Sequence, residues 1–398
     1  PNEHRPAGRM AKTTPLTPVL AAEGAEFTVV NGWERAEFFK PTPDFHVTHS
    51  FRFDESFDIV AAEVAAVQNG VGLTEVNGFN RFEITGADAE TFLDRMICGR
   101  MPRKDGRVGL AYLLNHHGML KGEATIARLP ASDRGPARIW YGSAAASELH
   151  DMDWLQSHIG KDDVQIRSLT NDQTILVLAG PKARDVLAAV SREDWSKAAF
   201  PWLSVRECFV GIAPATVMAV SFSGEQAYEL HIPNASLYAA YLALRQAGEE
   251  FGLSLFGALA VDSMRLEKGY LHWKADILTE FDPFETGLSR FVDMGKGDFV
   301  GKAALAVRNR SKTLVTLVVD CAEASAHPGA SVMLDDVVVG TVTSGGYGHR
   351  VGENLAYAFV DVLPDDAALM IDILGKCVPA KITDRGLYDP EMTLVRAA

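Results

Sequence analysis

The chain has 398 residues, 47% hydrophobic and 23% charged, and its 38 basic against 52 acidic residues give a formal net charge of −14. That length exceeds one ordinary domain and implies two or three, while the acidic balance argues against nucleic acid or an anionic membrane as the main partner. Scattered Cys98, Cys208, Cys321 and Cys377 form no C-x-x-C pair, so reduced thiols are expected rather than a disulfide frame or zinc site.

Residues 1–50 open with a polar, Pro-bearing stretch (Pro1 to Arg9) of linker composition and reach an aromatic cluster at Trp33, Phe38 and Phe39. Apolar residues at helical spacing (Ile59, Val60, Val64, Val67) predict a helix over 58–69, with Gly70 as its stop. Residues 81–85 read as a strand ending at Gly86, 87–96 as a short helix, and 112–126 as two strands around a Gly turn. His116 and His117 diverge as neighbours on that turn, and no third ligand has suitable spacing, so no metal site is expected. Residues 139–141 form a strand and Glu148, Leu149, Met152 and Leu155 a helix. Then a strand over 175–179, Gly180-Pro181 and a helix over 183–190 echo the earlier strand–Gly–helix unit. Such alternation is α+β, with a hint of two related subdomains.

Residues 217–222 form the next predicted strand, followed by a Gly-bearing turn and a strand through Tyr228, Glu229 and Leu230. Period-two alternation puts Tyr228 and Leu230 on one face and Glu229 on the other. A carboxylate on an inner strand face is costly unless a donor meets it, and the alternative is a hairpin with a solvated Glu. Asn234 is placed to cap a helix bearing Leu237, Tyr241, Leu244 and Ala247. Arg265 and Asp262 stand three apart and can pair on one helix face. From Lys312 the pattern becomes alternating strands over 314–319, 331–334, 337–342, 356–360, 368–373 and 378–382. Turns at Asp335-Asp336 and Ser344-Gly345-Gly346 complete a small β-barrel or jelly roll. No apolar run approaches the roughly 20 residues of a membrane span, so a cytoplasmic protein (mitochondrial matrix if eukaryotic) without membrane contact is expected.

Several segments occur in the order found in one family. Phe222-Ser223-Gly224-Glu225-Gln226-Ala227-Tyr228-Glu229-Leu230 resembles the S/Y-x-G-E-x-G-x-E-L strand of the glycine-cleavage T-protein (aminomethyltransferase) family, with Ala227 for the usual Gly and Phe222 where close relatives often have Tyr. Leu113-Leu114-Asn115…Gly118…Glu123 resembles the L-x-N-x-x-G-x-x-x-x-D hairpin, with Glu for Asp. Asp262-Ser263-Met264-Arg265-Leu266-Glu267, Pro283 to Val292 (with a strand expected after Leu288), Asp298 to Lys302 and Gly340 to Tyr347 resemble four further family segments, the last a loop that closes one side of the folate site. The N-terminal part, with Gly32-Trp33-Glu34-Arg35, resembles the junction that precedes the folate half of dimethylglycine and sarcosine dehydrogenases.

The resemblance implies a T-protein-like core of two related α+β subdomains over 51–308 and a C-terminal barrel over 309–398. Residues 1–50 would be a linker or docking segment from a preceding FAD-oxidoreductase half. FAD is expected on that half, since this chain has no G-x-G-x-x-G after a strand. It further implies tetrahydrofolate as cofactor and an N-methylated amino acid as substrate, with the one-carbon unit captured as 5,10-methylene-tetrahydrofolate. Glu123 would be the catalytic carboxylate. Glu229 would hold the pterin, whose amino group and ring N–H suit one carboxylate. Phe222, Leu230, His231, Ala124, Thr125, Tyr141 and Arg290 would line the cofactor pocket. Alternatives of other classes are a non-catalytic scaffold or regulatory subunit, and a flavin-independent folate-dependent demethylase.

Overall fold

A computed structural model describes residues 7–144, 147–364 and 367–397; residues 1–6 of the polar opening lie outside the described residues. Two antiparallel-rich sheets and a closed barrel organise the molecule. The first sheet has five strands in the order Val108–Leu114, Leu120–Leu129, Arg138–Ser143, Asn80–Thr85 and Gln165–Ser168. The second has six: Val205–Val210, Ala213–Met218, Ala227–Pro233, Gln173–Ala179, Gly72–Val76 and Ser254–Leu255, the last parallel to its neighbour. Each sheet carries helices on its outer face.

Alternation explains why both sheets are two-sided. In Leu120–Leu129 the apolar Ala124 and Ile126 point out to the helices Ala89–Met96 and Glu148–Ser157, forming one core with Phe92, Leu93 and Leu155. In Ala227–Pro233, Tyr228, Leu230 and Ile232 point out to the helices Ala183–Val190 and Leu237–Gly248. The intervening residues, including Glu123 and Glu229, are left on the faces the two sheets turn towards each other.

The echo between the two halves has a physical counterpart. Gly86 (φ +118°) and Gly180 (φ +121°) both turn a strand into a helix, and a Cβ there would lie 2.0 Å from Asp163 O and 2.4 Å from Val67 O. Only glycine fits either corner.

Residues 14–39, inside the segment read as linker or docking, form the helix Thr17–Ala22 and the hairpin Ala25–Val30/Trp33–Phe39. They bury Leu16, Leu20, Phe27 and Ala36 in the core of the second sheet. Four local expectations are corrected. The strand expected over 217–222 is Ala213–Met218, and residues 219–226 form a looped connection with Gly224 at φ +83°. Asn234 caps no helix: its side chain accepts from Thr174 Oγ1 (2.7 Å) and donates to Asn171 O (2.8 Å), while a short 3₁₀ turn precedes the helix. The strand expected after Leu288 is a single 3₁₀ turn, Ser289–Phe291. Ser344 to Gly346 are not a turn but lie within the strand Val337–Gly348, where Gly345 lets Ala326 O approach to 2.0 Å of where a Cβ would stand.

The barrel closes in the order Lys312–Val319, Glu353–Asp361, Val337–Gly348, Ser331–Leu334, Leu369–Ile373, Lys376–Thr383. It docks on the helix Ala258–Lys268 through Tyr357 Oη donating to Leu266 O (2.6 Å) and Ser263 Oγ donating to Tyr347 O (2.8 Å). Among the described residues no helix is long and apolar enough to cross a membrane.

Candidate active site between the sheets

Ladder register identifies the side chains on the inner face of the first sheet, because residues opposite one another in an antiparallel pair share a face. One row is Tyr112–Glu123, the next Leu110–Thr125–Gly142–Arg81, and the next Val108–Ala127–Trp140–Glu83. On the second sheet the matching rows are Met218–Glu229–Val177 and Thr216–His231–Ile175. The faces meet where the Trp140 and His231 rings lie 4.7 Å apart at 72°, and Met218 packs among Val108, Ala127 and Trp140.

Glu123 Oε2 accepts a hydrogen bond from Tyr112 Oη at 2.9 Å. Burial pushes the Glu123 carboxyl up to about 7, against the opposing pull of that bond. Burial and the adjacent carboxylate hold the Tyr112 phenol well above its usual range, so Tyr112 remains a donor. Glu229 keeps 29% of its side chain exposed, and its Oε2 lies 3.3 Å from Nε2 of the fully enclosed His231. Burial lowers the His231 pKa, which favours the neutral ring at physiological pH.

Within electrostatic reach of Glu229 is Arg81, 1% exposed. Its Nη2 donates to Thr170 O (2.7 Å) and Gln173 O (2.6 Å). Burial lowers its pKa to about 10, and Glu229 is the largest of the acidic influences acting against that, ahead of Glu148 and Asp172.

An aromatic rim flanks the Tyr112 end. Phe222, 39% exposed, stacks on Tyr270 (6.1 Å, 15°), and Phe291 lies 5.2 Å from Tyr112. Arg290 is exposed, with its guanidinium 4.8 Å above the Phe291 ring. Gly269 (φ +79°) ends the helix Ala258–Lys268 in the left-handed conformation and turns Tyr270 towards this rim.

The structure therefore gathers Glu123, Thr125, Glu229 and His231 on the facing sheets and puts Phe222 and Arg290 at the rim. It does not bring Ala124, Tyr141 or Leu230 there. Ala124 and Tyr141 face the helical core of the first sheet, where Tyr141 stacks on Phe82 (5.7 Å, 9°) and its hydroxyl reaches Asp151 (3.4 Å). Leu230 is fully buried on the opposite face of its strand from Glu229. These three are neighbours of site residues in sequence, and a strand sends neighbours to opposite faces. Tyr112, Arg81, Trp140 and Tyr270 join the site without having been singled out for it. The available signal was alternation, since Arg81 and Glu83 fall on the face opposite the apolar Phe82 and Ile84.

Comparison with known proteins bears on this arrangement. The GCVT N-terminal domain matches residues 16–296, and the glycine cleavage T-protein C-terminal barrel domain matches 312–389. Human mitochondrial dimethylglycine dehydrogenase is 32% identical over 91% of this chain and 42% of its own length. The 4-methylaminobutanoate oxidase (formaldehyde-forming) of Paenarthrobacter nicotinovorans is 32% identical over 98% of this chain and 48% of its own. The chain thus spans less than half the length of these relatives. The crystal structure of glycine cleavage system aminomethyltransferase T from Bartonella henselae superposes with a TM-score of 0.81 at 20% identity, covering 96% of this chain and 99% of that one, which shows the shared fold.

Proposed function

The chain belongs to the glycine-cleavage T-protein family, and from that premise we propose that it performs tetrahydrofolate-dependent aminomethyl transfer, as the folate half of a dimethylglycine- or sarcosine-dehydrogenase-like flavoenzyme. The observation that carries the reading is the pair of carboxylates, Glu123 and Glu229, turned from two different sheets into one inter-sheet space. Tetrahydrofolate, when bound, supplies the secondary amine N5 that takes up a one-carbon unit from an iminium made on an FAD-bearing partner half.

The residues present suit that cofactor. Glu229 offers two acceptor oxygens between apolar Met218 and Val177, the complement of a flat ring with adjacent N–H donors. Neutral His231 and the free donors of Arg81 add polar groups without a competing carboxylate ion pair. Glu123 stabilises positive charge on the incoming carbon as a carboxylate and, being poised near neutrality, accepts the proton released from nitrogen. Tyr112 holds one Glu123 oxygen, leaving the other, Oε1, for the reacting groups. The Phe222–Tyr270 and Phe291 rings shield the reacting centre from water, which would otherwise release the carbon as formaldehyde.

Calorimetric titration with tetrahydrofolate tests the reading. Saturable binding is expected, with Glu229→Gln losing roughly 1.5–3 kcal/mol, the scale of a charged hydrogen bond. No binding by the well-folded parent would overturn it. With the flavoprotein half present, transfer is expected to fall as pH drops through about 7, because Glu123 then takes up the proton it must accept; a pH–rate profile without that limb counts against Glu123.

A further inference from the structure

Arg81 is the most completely buried cation on the inner sheet faces, and its hydrogen bonding is half finished. Two backbone carbonyls, Thr170 O and Gln173 O, hold Nη2 and so fix the plane of the guanidinium. Nε and Nη1 are buried and have no hydrogen-bond partner among the described residues. Glu229, Glu148 and Asp172 lie within electrostatic reach, yet none forms an ion pair with Arg81. The ladder places Arg81 opposite Gly142, on the same face as Thr125 and one row from both Glu123 and Trp140, so the side chain enters the inter-sheet space. A guanidinium cannot shed its proton to relieve the cost, and a buried donor left unmade is expensive.

We propose that Arg81 is a second anchor for the heterocycle held by Glu229, donating from Nε or Nη1 to the ring carbonyl that adjoins the heterocycle's N–H edge. This rests on the folate reading above. The chemistry is complementary along one edge: the amino group and ring N–H are donors that meet the Glu229 carboxylate, and the next atom round the ring is a carbonyl oxygen that needs a donor. His231 is the neighbouring candidate, with both ring nitrogens buried and unpartnered, but a neutral imidazole carries a single N–H and its Nε2 lies 3.3 Å from Glu229, whereas Arg81 keeps a fixed charge and two unused donor nitrogens. Arg81 would thereby fix the register of the ring against Glu229 and so set which nitrogen reaches Glu123.

The test is equilibrium titration of the full chain with 5-formyltetrahydrofolate and with its 4-amino-4-deoxy analogue, in which the carbonyl becomes an amino group. Arg81→Met is expected to weaken the 4-oxo ligand by about 10–100-fold and the 4-amino ligand by much less. The ratio of the two affinities therefore shifts at least about tenfold. Glu229→Gln weakens the 4-oxo ligand, the one of the two whose ring nitrogen beside position 4 carries a hydrogen. Arg81→Lys keeps the charge and one bond to the carbonyls, so it serves if the Met variant fails to fold, and it shifts the ratio in the same direction. A folded Arg81 variant with the parental ratio would overturn the proposal and leave Arg81 a structural tie. A parent chain that binds neither ligand would instead bring down the folate reading itself.

Discussion

The molecule contains two buried settings of Arg and Glu, and they are built to opposite ends. At the seam between the core and the barrel, Arg350 is fully enclosed and saturated. Its Nε pairs with Glu267, Nη1 donates to Glu225 Oε1 (2.6 Å), and Nη2 donates to Ser223 O (2.9 Å) and Met264 O (2.7 Å). Tyr388 covers its face at 3.8 Å. Nearby Arg265 is shared between Asp262 and Asp276 at 2.7 Å each and donates to Ser344 Oγ. Between the sheets, Arg81 is as deeply buried but Glu123 and Glu229 are only partly so, and all three keep spare bonding capacity. A saturated buried ion cluster fixes how parts fit, whereas an unsaturated one is finished by something from outside. The two glutamates of one short motif illustrate both fates: Glu225 is tied to Arg350, and Glu229 is left open.

That contrast can be broken in graded ways. Arg350→Met strands Glu225 and Glu267, both at most 2% exposed, and should cost about 3–5 kcal/mol in denaturant unfolding. A loss below about 1 kcal/mol would show that the seam is not a structural lock. Leu230→Ala, on the core face of the Glu229 strand, should cost about 2–4 kcal/mol of stability while folded molecules keep the parental folate affinity. A large affinity change at unchanged stability would return Leu230 to the site.

Glu123→Gln should act the other way. The folded pKa near 7 lies above the usual Glu value of about 4.3, so between them the native state holds a proton that the unfolded chain has released. The parent therefore loses stability as pH rises through about 7, and the Gln variant does not. The variant is expected to be more stable than the parent by about 2–4 kcal/mol at pH 8 and near equal at pH 4, read from paired melts. The smallest effect is expected at the rim: Phe222→Ala should leave stability within about 0.5 kcal/mol and weaken folate binding by about 1 kcal/mol. A stability loss larger than the binding loss would mark Phe222 as packing.

Much of the fold was legible in local pattern. The helix at 58–69, the strand–Gly–helix echo and all six barrel strands follow from periodicity and glycine placement, because those signals act within a few residues. The alternation about Glu229 already separated Tyr228 and Leu230 from it. The same rule applied along the Glu123 strand would have removed Ala124, and across the ladder it would have removed Tyr141. Asn234 looked like a helix cap because its residue type suits one, but a tertiary contact to Thr174 and Asn171 claimed its side chain.

What the amino-acid sequence determined by itself is which residues carry charge, which face of each strand is apolar, and the order of motifs that marks the family. Tertiary structure alone decided which inner faces meet. The pairing of Tyr112 with Glu123, the edge-to-face contact of Trp140 with His231 and the placing of Arg81 within electrostatic reach of Glu229 all depend on the register between strands distant in the chain. Local periodicity carries no information about that register, because it is settled by packing two sheets and their helices at once.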